Sequence, residues 1–266
     1  MIRLLGQAAI EATRRTWRAA QPVFQRGRRS LAELALPTIC AGCEHDLERP
    51  DELPLCRACR GQFTMSAEAI CARCSAPAPS AAISTSGCLH CQDATFRFAR
   101  TAALGVYQGE LRSFVLRMKH LAGESLSLAS GQLLGQRLLH LAWPDQPDLI
   151  AAAPMHWTRR VWRNVNAPAV IAETTARVLK RPLELGLLRA VRMVPRQSTL
   201  TADQRRLNMR GGVFAVSNAF NVRDAHVLVI DDVMTTGATA NALARPLLKA
   251  GARMVSLGVV ARSIME

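Results

Sequence analysis

The segment V-L-V-I-D-D-V-M-T-T-G-A-T-A, positions 227–240, carries the most specific chemistry in the chain. An apolar run ends in two adjacent acids, Asp231 and Asp232, followed by a hydroxyl-rich turn with one glycine and then a helix-forming stretch. The run reads as a buried strand, and ligands of open α/β sheets sit at the carboxyl ends of strands. The start of the following helix offers backbone N–H groups and a partial positive charge, which suit a phosphate. Thr235, Thr236 and Thr239 add hydroxyl donors, while Gly237, beside Ala238, lets the main chain approach the anion. Asp231 and Asp232 cannot hold the same phosphate, because like charges repel. They suit ribose hydroxyls or a hydrated Mg²⁺ beside it. The plainer alternative, a strand whose acids cap the next helix, accounts poorly for two acids followed by T-T-G-A-T. No Lys follows the glycine, so this is not a Walker loop.

A second chemistry lies upstream. All eight cysteines occur as C-x-x-C pairs: Cys40 with Cys43, Cys56 with Cys59, Cys71 with Cys74, and Cys88 with Cys91. Two such turns complete a tetrahedral sulfur site, so two zinc ions are expected. Simple succession puts the first two pairs on one ion and the last two on the other, with a crossed arrangement left open. The sequence lacks a secretory h-region, because Arg3 and Glu11 interrupt the apolar run near the N-terminus, so a cytoplasmic setting with reduced thiols is expected. C-A-G-C…C-R-A-C and C-A-R-C…C-L-H-C form a weak internal repeat. Each half is too short to bury a core of its own, so metal would supply much of its folding energy. His45 and His90 flank the pairs and read as bystanders. Arg57, Arg60 and Arg73 lie near them in a net acidic surround, which favours a structural role over nucleic-acid contact.

The elements that must position these groups follow from periodicity. Residues 96–107 read as a strand or hairpin, and 110–120 as a helix burying Leu111, Phe114, Val115 and Met118 with Arg112, Arg117 and Lys119 exposed. A second helix over 125–143 turns Leu128, Leu133, Leu134, Leu138 and Leu141 inward and ends before Pro144 and Pro147. A strand at 148–153, a helix at 167–180 and a short strand at 183–185 follow. The polar stretch 193–210 reads as a long loop entering a short helix, and loops of that length are usually functional. A strand at 226–230, a helix at 238–250 and a strand at 254–260 complete the chain. This alternation implies an α/β fold, a parallel sheet with helices on both faces, preceded by a small double zinc ribbon. The expected divisions are a basic amphipathic arm over 1–36, the ribbon over 37–95 and the α/β domain over 96–266.

Charge and composition narrow the function. The formal net charge of the 266 residues is +14. It concentrates in two zones, with seven Arg and one acid in residues 1–30 and twelve bases and three acids in residues 157–210. Such patches suit a polyanionic partner. Aromatic residues make up only 5%, which argues against a surface built mainly on base stacking. No window is apolar enough to predict a membrane span.

The strand, acid pair and Thr/Gly turn resemble the type I phosphoribosyltransferase signature for 5-phosphoribosyl-1-pyrophosphate. That resemblance implies that Asp231 and Asp232 meet the ribose 2′- and 3′-hydroxyls, while Thr235, Thr236, Gly237, Ala238 and Thr239 cradle the 5′-phosphate, with Mg²⁺ as cofactor. With the cysteine pairs, the motif of Tyr107, Gly109, Leu111, Arg112 and Lys119, the run A-A-P-M-H at 152–156, and the set Gln197, Arg205, Arg206 and Asn208, the chain is similar to the ComF family of competence-associated proteins, which includes GntX-like members. The resemblance covers residues 38–262. It implies that Ala153, Pro154, Met155 and His156 form a pyrophosphate loop holding the anion through backbone N–H groups, with Arg159, Arg160 and Arg163 within reach. Gln197, Arg205, Arg206, Asn208 and Arg210 would belong to a mobile lid. One departure is clear. Where the family reads R-G-F-N-Q, this chain has Arg163, Asn164, Val165, Asn166 and Ala167.

Three functions fit these expectations. A transferase would join the phosphoribosyl group to an acceptor that the sequence does not identify; His156 and His226 read as packing or capping residues rather than a general base. A competence factor would handle incoming single-stranded DNA in natural transformation, alongside a helicase or other DNA-processing proteins. A sensor would bind the sugar phosphate without chemistry, for which the altered R-N-V-N-A segment speaks.

Overall fold

The computed structural model describes residues 39–47, 53–65, 69–84, 86–141, 143–154, 166–192, 212–218 and 220–264. In chain order the elements are α1 (Arg57–Gly61), β1 (Ala69–Ile70), β2 (Pro77–Ala78), β3 (Ile83–Ser84), β4 (Gly87–Cys88), β5 (Thr101–Val106), α2 (Gly109–Arg117), α3 (Glu124–His140), β6 (Leu149–Ala152), α4 (Ala167–Leu179), β7 (Leu188–Ala190), β8 (Phe214–Val216), β9 (His226–Met234), α5 (Ala238–Lys249) and β10 (Met254–Arg262).

The centre is a four-stranded sheet of order β5–β10–β9–β6. Every pairing in it is parallel. Its strands are apolar at successive positions because both faces are covered. The pleat sends Ala102, Leu104, Ile150, Ala152, Leu228 and Ile230 into one cluster with α2, α3 and α4. It sends Ala103, Ala151, Val227, Val229, Leu257 and Val259 into another with α5 and the β7–β8 hairpin. The cysteine segments pack into these same two clusters. Cys40 and Cys59 lie in the first, and Cys71, Cys74, Cys88 and Cys91 in the second.

Several elements differ from expectation. In α3 the inward stripe is Leu126, Ser130, Leu134 and Leu138, while Leu128 and Leu141 are each 39% exposed. The hydroxyls of Ser127 and Ser130 donate back to Gly123 O at 3.2 Å and Leu126 O at 2.7 Å, which lets polar residues occupy the buried face. The helix ends at His140, before the prolines. Leu183 makes only an isolated bridge to Ile150; the strand proper is β7, because Leu187 and Leu188 are buried whereas Leu185 is 48% exposed. β9 runs on to Met234, because β10 lies beside it as far as Arg262 and supplies partners for residues 231–234. Arg117 and Lys119, expected on the surface, are half-buried and paired.

α3 and α4 approach closely at Gly131, whose added Cβ would lie 2.6 Å from Ile171 O and 2.8 Å from Thr174 Cβ. Thr175 Oγ1 donates to Gly131 O at 3.0 Å across the same contact. Gly131→Ala should therefore destabilise the fold by about 1–3 kcal/mol through overpacking, outweighing a helix-propensity gain of about 1 kcal/mol. Urea denaturation checks this, and a stabilised variant would contradict the packing.

Candidate functional site

β6 stops at Ala152, paired with Ile230, while β9 continues beside β10. The last residues of β9 therefore have one open flank at the carboxyl end of the sheet, and Asp231 and Asp232 stand there. Consecutive strand residues face opposite sides, so the two carboxylates leave the strand in opposite directions. Asp232 turns to the α2 side, where Lys119 Nζ meets its Oδ2 at 2.8 Å. Burial opposes the Lys119 charge, but the Asp232 carboxylate, helped by Asp231 and Tyr107, holds its pKa above the ordinary value. Asp231 is half-buried and, among the described residues, forms no ion pair of its own. Burial and then the Asp232 charge push its pKa from an ordinary 3.8 up to about 8. Each carboxylate also accepts from the next backbone N–H, Asp232 N to Asp231 Oδ1 at 2.9 Å and Val233 N to Asp232 Oδ1 at 2.8 Å.

The turn after Met234 leads into α5 through Gly237, whose φ of 75° places it in the left-handed region. A side chain there would also meet Phe96, with a Cβ 2.8 Å from its Cε1. Gly237 gives the helix no side-chain cap, and its first turn has no acid, so the positive N-terminus lies open beside Thr235 and Thr236. Thr236 Oγ1 accepts from Ala238 N at 3.3 Å.

Side chains from elsewhere hold this turn. Arg262 is 4% exposed, and its Nη1 donates to Met234 O at 3.1 Å, to Thr235 O at 2.5 Å, and to Ser263 O. Asn241, in the first turn of α5, donates to Thr95 O at 2.9 Å and accepts from Arg97 N at 2.7 Å. Arg73 donates to Cys91 O at 2.6 Å and Ala94 O at 2.5 Å, and stacks over Phe96 at 5.0 Å. On the other face, Arg117 donates to Gly42 O at 2.5 Å and Ala41 O at 2.9 Å, two residues before Lys119. Sequence reasoning missed Arg262 and Asn241. A lone Arg ending an otherwise uncharged nine-residue strand was the available signal for Arg262.

The cysteines form two groups in simple succession: Cys40, Cys43, Cys56 and Cys59, then Cys71, Cys74, Cys88 and Cys91. Zn–S bonds of about 2.3 Å in a tetrahedron imply sulfurs about 3.8 Å apart. The separations are 3.7 Å for Cys43–Cys56, 3.8 Å for Cys71–Cys91, 3.6 Å for Cys74–Cys88 and 4.0 Å for Cys88–Cys91, so both groups fit a zinc ion. Backbone N–H groups of Gly42 and Cys56 reach Cys40 Sγ at 3.4 and 3.2 Å. Burial opposes its ionisation, but N–H donation from Cys43, Cys56 and Gly42 brings the thiol down to about 6. Burial pushes Cys59 and Cys74 up, and the charge of neighbouring cysteines adds to this, a conflict that a dication would relieve. His45 instead bonds Cys43 O through Nδ1 at 3.0 Å, and neither it nor His90 belongs to a sulfur group.

Other expected site residues divide between the described and undescribed segments. Ala153 N donates to Ile230 O at 2.8 Å and Pro154 has no N–H, so neither supplies a backbone donor to pyrophosphate. Met155, His156, Arg159, Arg160 and Arg163, with Gln197, Arg205, Arg206, Asn208 and Arg210, lie outside the described residues, as does the basic arm. His226 is buried at the start of β9, far along the strand from the acid pair, and its Nε2 meets Ser256 Oγ at 2.8 Å. Burial lowers its pKa, which suits a neutral packing residue.

A parallel sheet covered on both faces, with an acid pair at a strand tip and a Thr/Gly turn opening a helix, defines a phosphoribosyltransferase-like protein. The phosphoribosyl transferase domain model matches residues 168–264. DNA utilization protein YhgH of Escherichia coli (strain K12) is 25% identical over 239 residues, 87% of this chain and 100% of its own. Competence protein F of Haemophilus influenzae is 31% identical over 137 residues, 48% of this chain and 59% of its own. The chain is thus similar to competence-associated proteins and carries a phosphoribosyl transferase domain. Among solved structures, glutamine phosphoribosylpyrophosphate amidotransferase from B. subtilis is 19% identical with a TM-score of 0.37, over 56% of this chain and 30% of its own length.

Two outcomes follow from the site. The first sulfur group has Cys43 exposed and Cys56 half-buried, whereas all four cysteines of the second are buried. Zinc should therefore leave in two phases when a chromogenic chelator is added, the first group losing its ion sooner, and a single phase would contradict the difference. Asp231 holds its proton in the native state from its ordinary pKa of 3.8 up to about 8, so stability falls as pH rises across that window. Asp231→Asn removes this penalty. In urea melts its advantage over wild type should be near nil at the acid end, grow with pH and level off above the upper pKa.

Proposed function

We propose that the protein binds 5-phosphoribosyl-1-pyrophosphate with Mg²⁺ and serves in the handling of single-stranded DNA during uptake. The observation that carries the ligand reading is the acid pair at the carboxyl end of β9, past the end of β6, beside the acid-free first turn of α5. In this reading Asp231 and Asp232 take the ribose hydroxyls, and Thr235, Thr236, Gly237, Ala238 and Thr239 surround the 5′-phosphate. Arg262 and Asn241 hold the turn in its binding shape. Mg²⁺ would supply charge neutralisation at the pyrophosphate, and the carboxylates would hold it or its water shell. Lys119 neutralises Asp232 before the ligand arrives, and its ammonium is then free to pair with an incoming anion.

The DNA side of the proposal draws on the relatives' names and on the net charge of +14. Residues 157–210, with most of that excess, would track phosphate backbone. Among the described residues no helix is long and apolar enough to cross a membrane.

Calorimetric titration of 5-phosphoribosyl-1-pyrophosphate with Mg²⁺ tests the site. Asp231→Ala with Asp232→Ala should weaken binding by at least about tenfold, since several charge-assisted contacts vanish together. Equal affinity in both forms would remove the reading. Pyrophosphate release with a panel of bases then separates a transferase from a sensor.

A further inference from the structure

We propose that the cleft between the first cysteine module and α3 is a second anion site, built on Arg60, Arg137 and His140, that takes the phosphate of a nucleotide. The cleft has a volume of about 320 Å³, and its lining has no acidic residue. Phe63, Leu104 and Leu133 form apolar walls, and Gln136 adds an amide. Its cations come from two separate elements, Arg60 from α1 and Arg137 from the last turn of α3, where His140 adds an imidazole. Ion pairs among the described residues use none of the three.

Arg137 carries the argument. Its Nε is buried and has no hydrogen-bond partner. The side chain as a whole is half-buried, and partial loss of water without a counter-charge is costly to a cation. Here an anion in the cleft would supply the opposite charge. The planar fork of Arg matches phosphate in two-point contact, and Arg60 opposite would close the pair. Burial lowers the Arg137 pKa, in keeping with a cation that has no counter-charge. A helix dipole favours basic residues in its last turn, which accounts for Arg137 and His140 being there. It accounts neither for the unpartnered Nε nor for Arg60.

Ligand cavities run from about 300 to 1,000 Å³, so this one suits a single nucleotide-sized unit. A second hollow of about 240 Å³ shares Arg137 and Leu141 and leads toward Trp143, over which Arg100 stacks at 5.6 Å. A strand longer than one nucleotide therefore has a path past Arg137. The site is separate from the acid pair, which lies on β9 with β10 between it and the β5 edge at Leu104.

The test uses the full zinc-loaded chain. Uridine 5′-monophosphate with Mg²⁺, which keeps both ribose hydroxyls, should occupy two sites on wild type in a calorimetric titration, one here and one at the turn before α5. Arg137→Met should leave one site, and Arg60→Gln, at an exposed position, should weaken the same site about tenfold or more. Lys249→Gln removes an equal charge from the exposed end of α5 and should change nothing. Melting without phosphate should give Arg137→Met at least wild-type stability. One wild-type site that Arg137→Met leaves intact would overturn this proposal and spare the sugar-phosphate reading; one site that Arg137→Met abolishes would do the reverse. Loss in Lys249→Gln equal to that in Arg60→Gln would also overturn it, by making the attraction diffuse. A short oligothymidylate without terminal phosphates identifies the source. If it displaces the nucleotide from the Arg137 site, the site reads strand backbone; if it does not, the site takes free nucleotide phosphate.

Discussion

The structure turns on one electrostatic constraint: two neighbouring carboxylates at the tip of an apolar, doubly covered strand. Left alone they would repel each other in a poorly solvated place. The pleat separates them, sending one to each side of the sheet. Lys119 neutralises Asp232, and the Asp231 pKa rises to about 8. The unliganded site thus holds about one fixed negative charge fewer than its sequence suggests at neutral pH. A divalent cation or a ring of ribose hydroxyls would restore the second charge by drawing the proton from Asp231.

The cysteine modules acquire a purpose in that setting. The first packs on the face of α2, and Arg117 ties its main chain to the helix that ends near Lys119. The second packs on the opposite face, where Arg73, Phe96 and Asn241 tie its exit to the turn before α5. Each sulfur group therefore stands behind one half of the ligand site, Lys119 with Asp232 on one side and the phosphate turn on the other. Segments this short fold on the free energy of metal binding. The hydrogen bonds of Arg117, Arg73 and Asn241 link those segments to Lys119 and to the turn before α5.

Much of this was legible in the residues because local physics dictates it. The sulfur pairs, the apolar strands and the acid–threonine turn each need a particular residue type at a particular spacing, and the structure brings them together as that spacing requires. Long-range pairing was not legible. Lys119 read as a surface residue of an amphipathic helix, since nothing nearby in sequence marks Asp232, more than a hundred residues on, as its partner. Leu128 and Leu141 were misplaced, because α3 packs on the sheet and on α4 at once and its buried face runs through Leu126, Ser127, Ser130 and Gly131 instead. The extension of β9 through the acids was hidden because charged residues are poor strand formers, and only the neighbouring β10 keeps them in the ladder.

The distribution of cations separates the two anion readings. At the acid pair, among the described residues, attraction for a phosphate would come from main-chain amides and a helix terminus, because Lys119 is paired with Asp232 and Arg262 is taken up by the carbonyls of the turn. Such a site selects a ligand that presents hydroxyls to the acids and a phosphate to the turn, which is the polarity of a sugar phosphate. In the cleft beside α3 the balance is reversed: side-chain cations, no acids and apolar walls. That environment rewards charge and asks nothing of a ribose. A protein with both surfaces, on opposite sides of β10, would be able to hold a sugar phosphate and a second phosphate at the same time, because the two sites make different demands on the sugar.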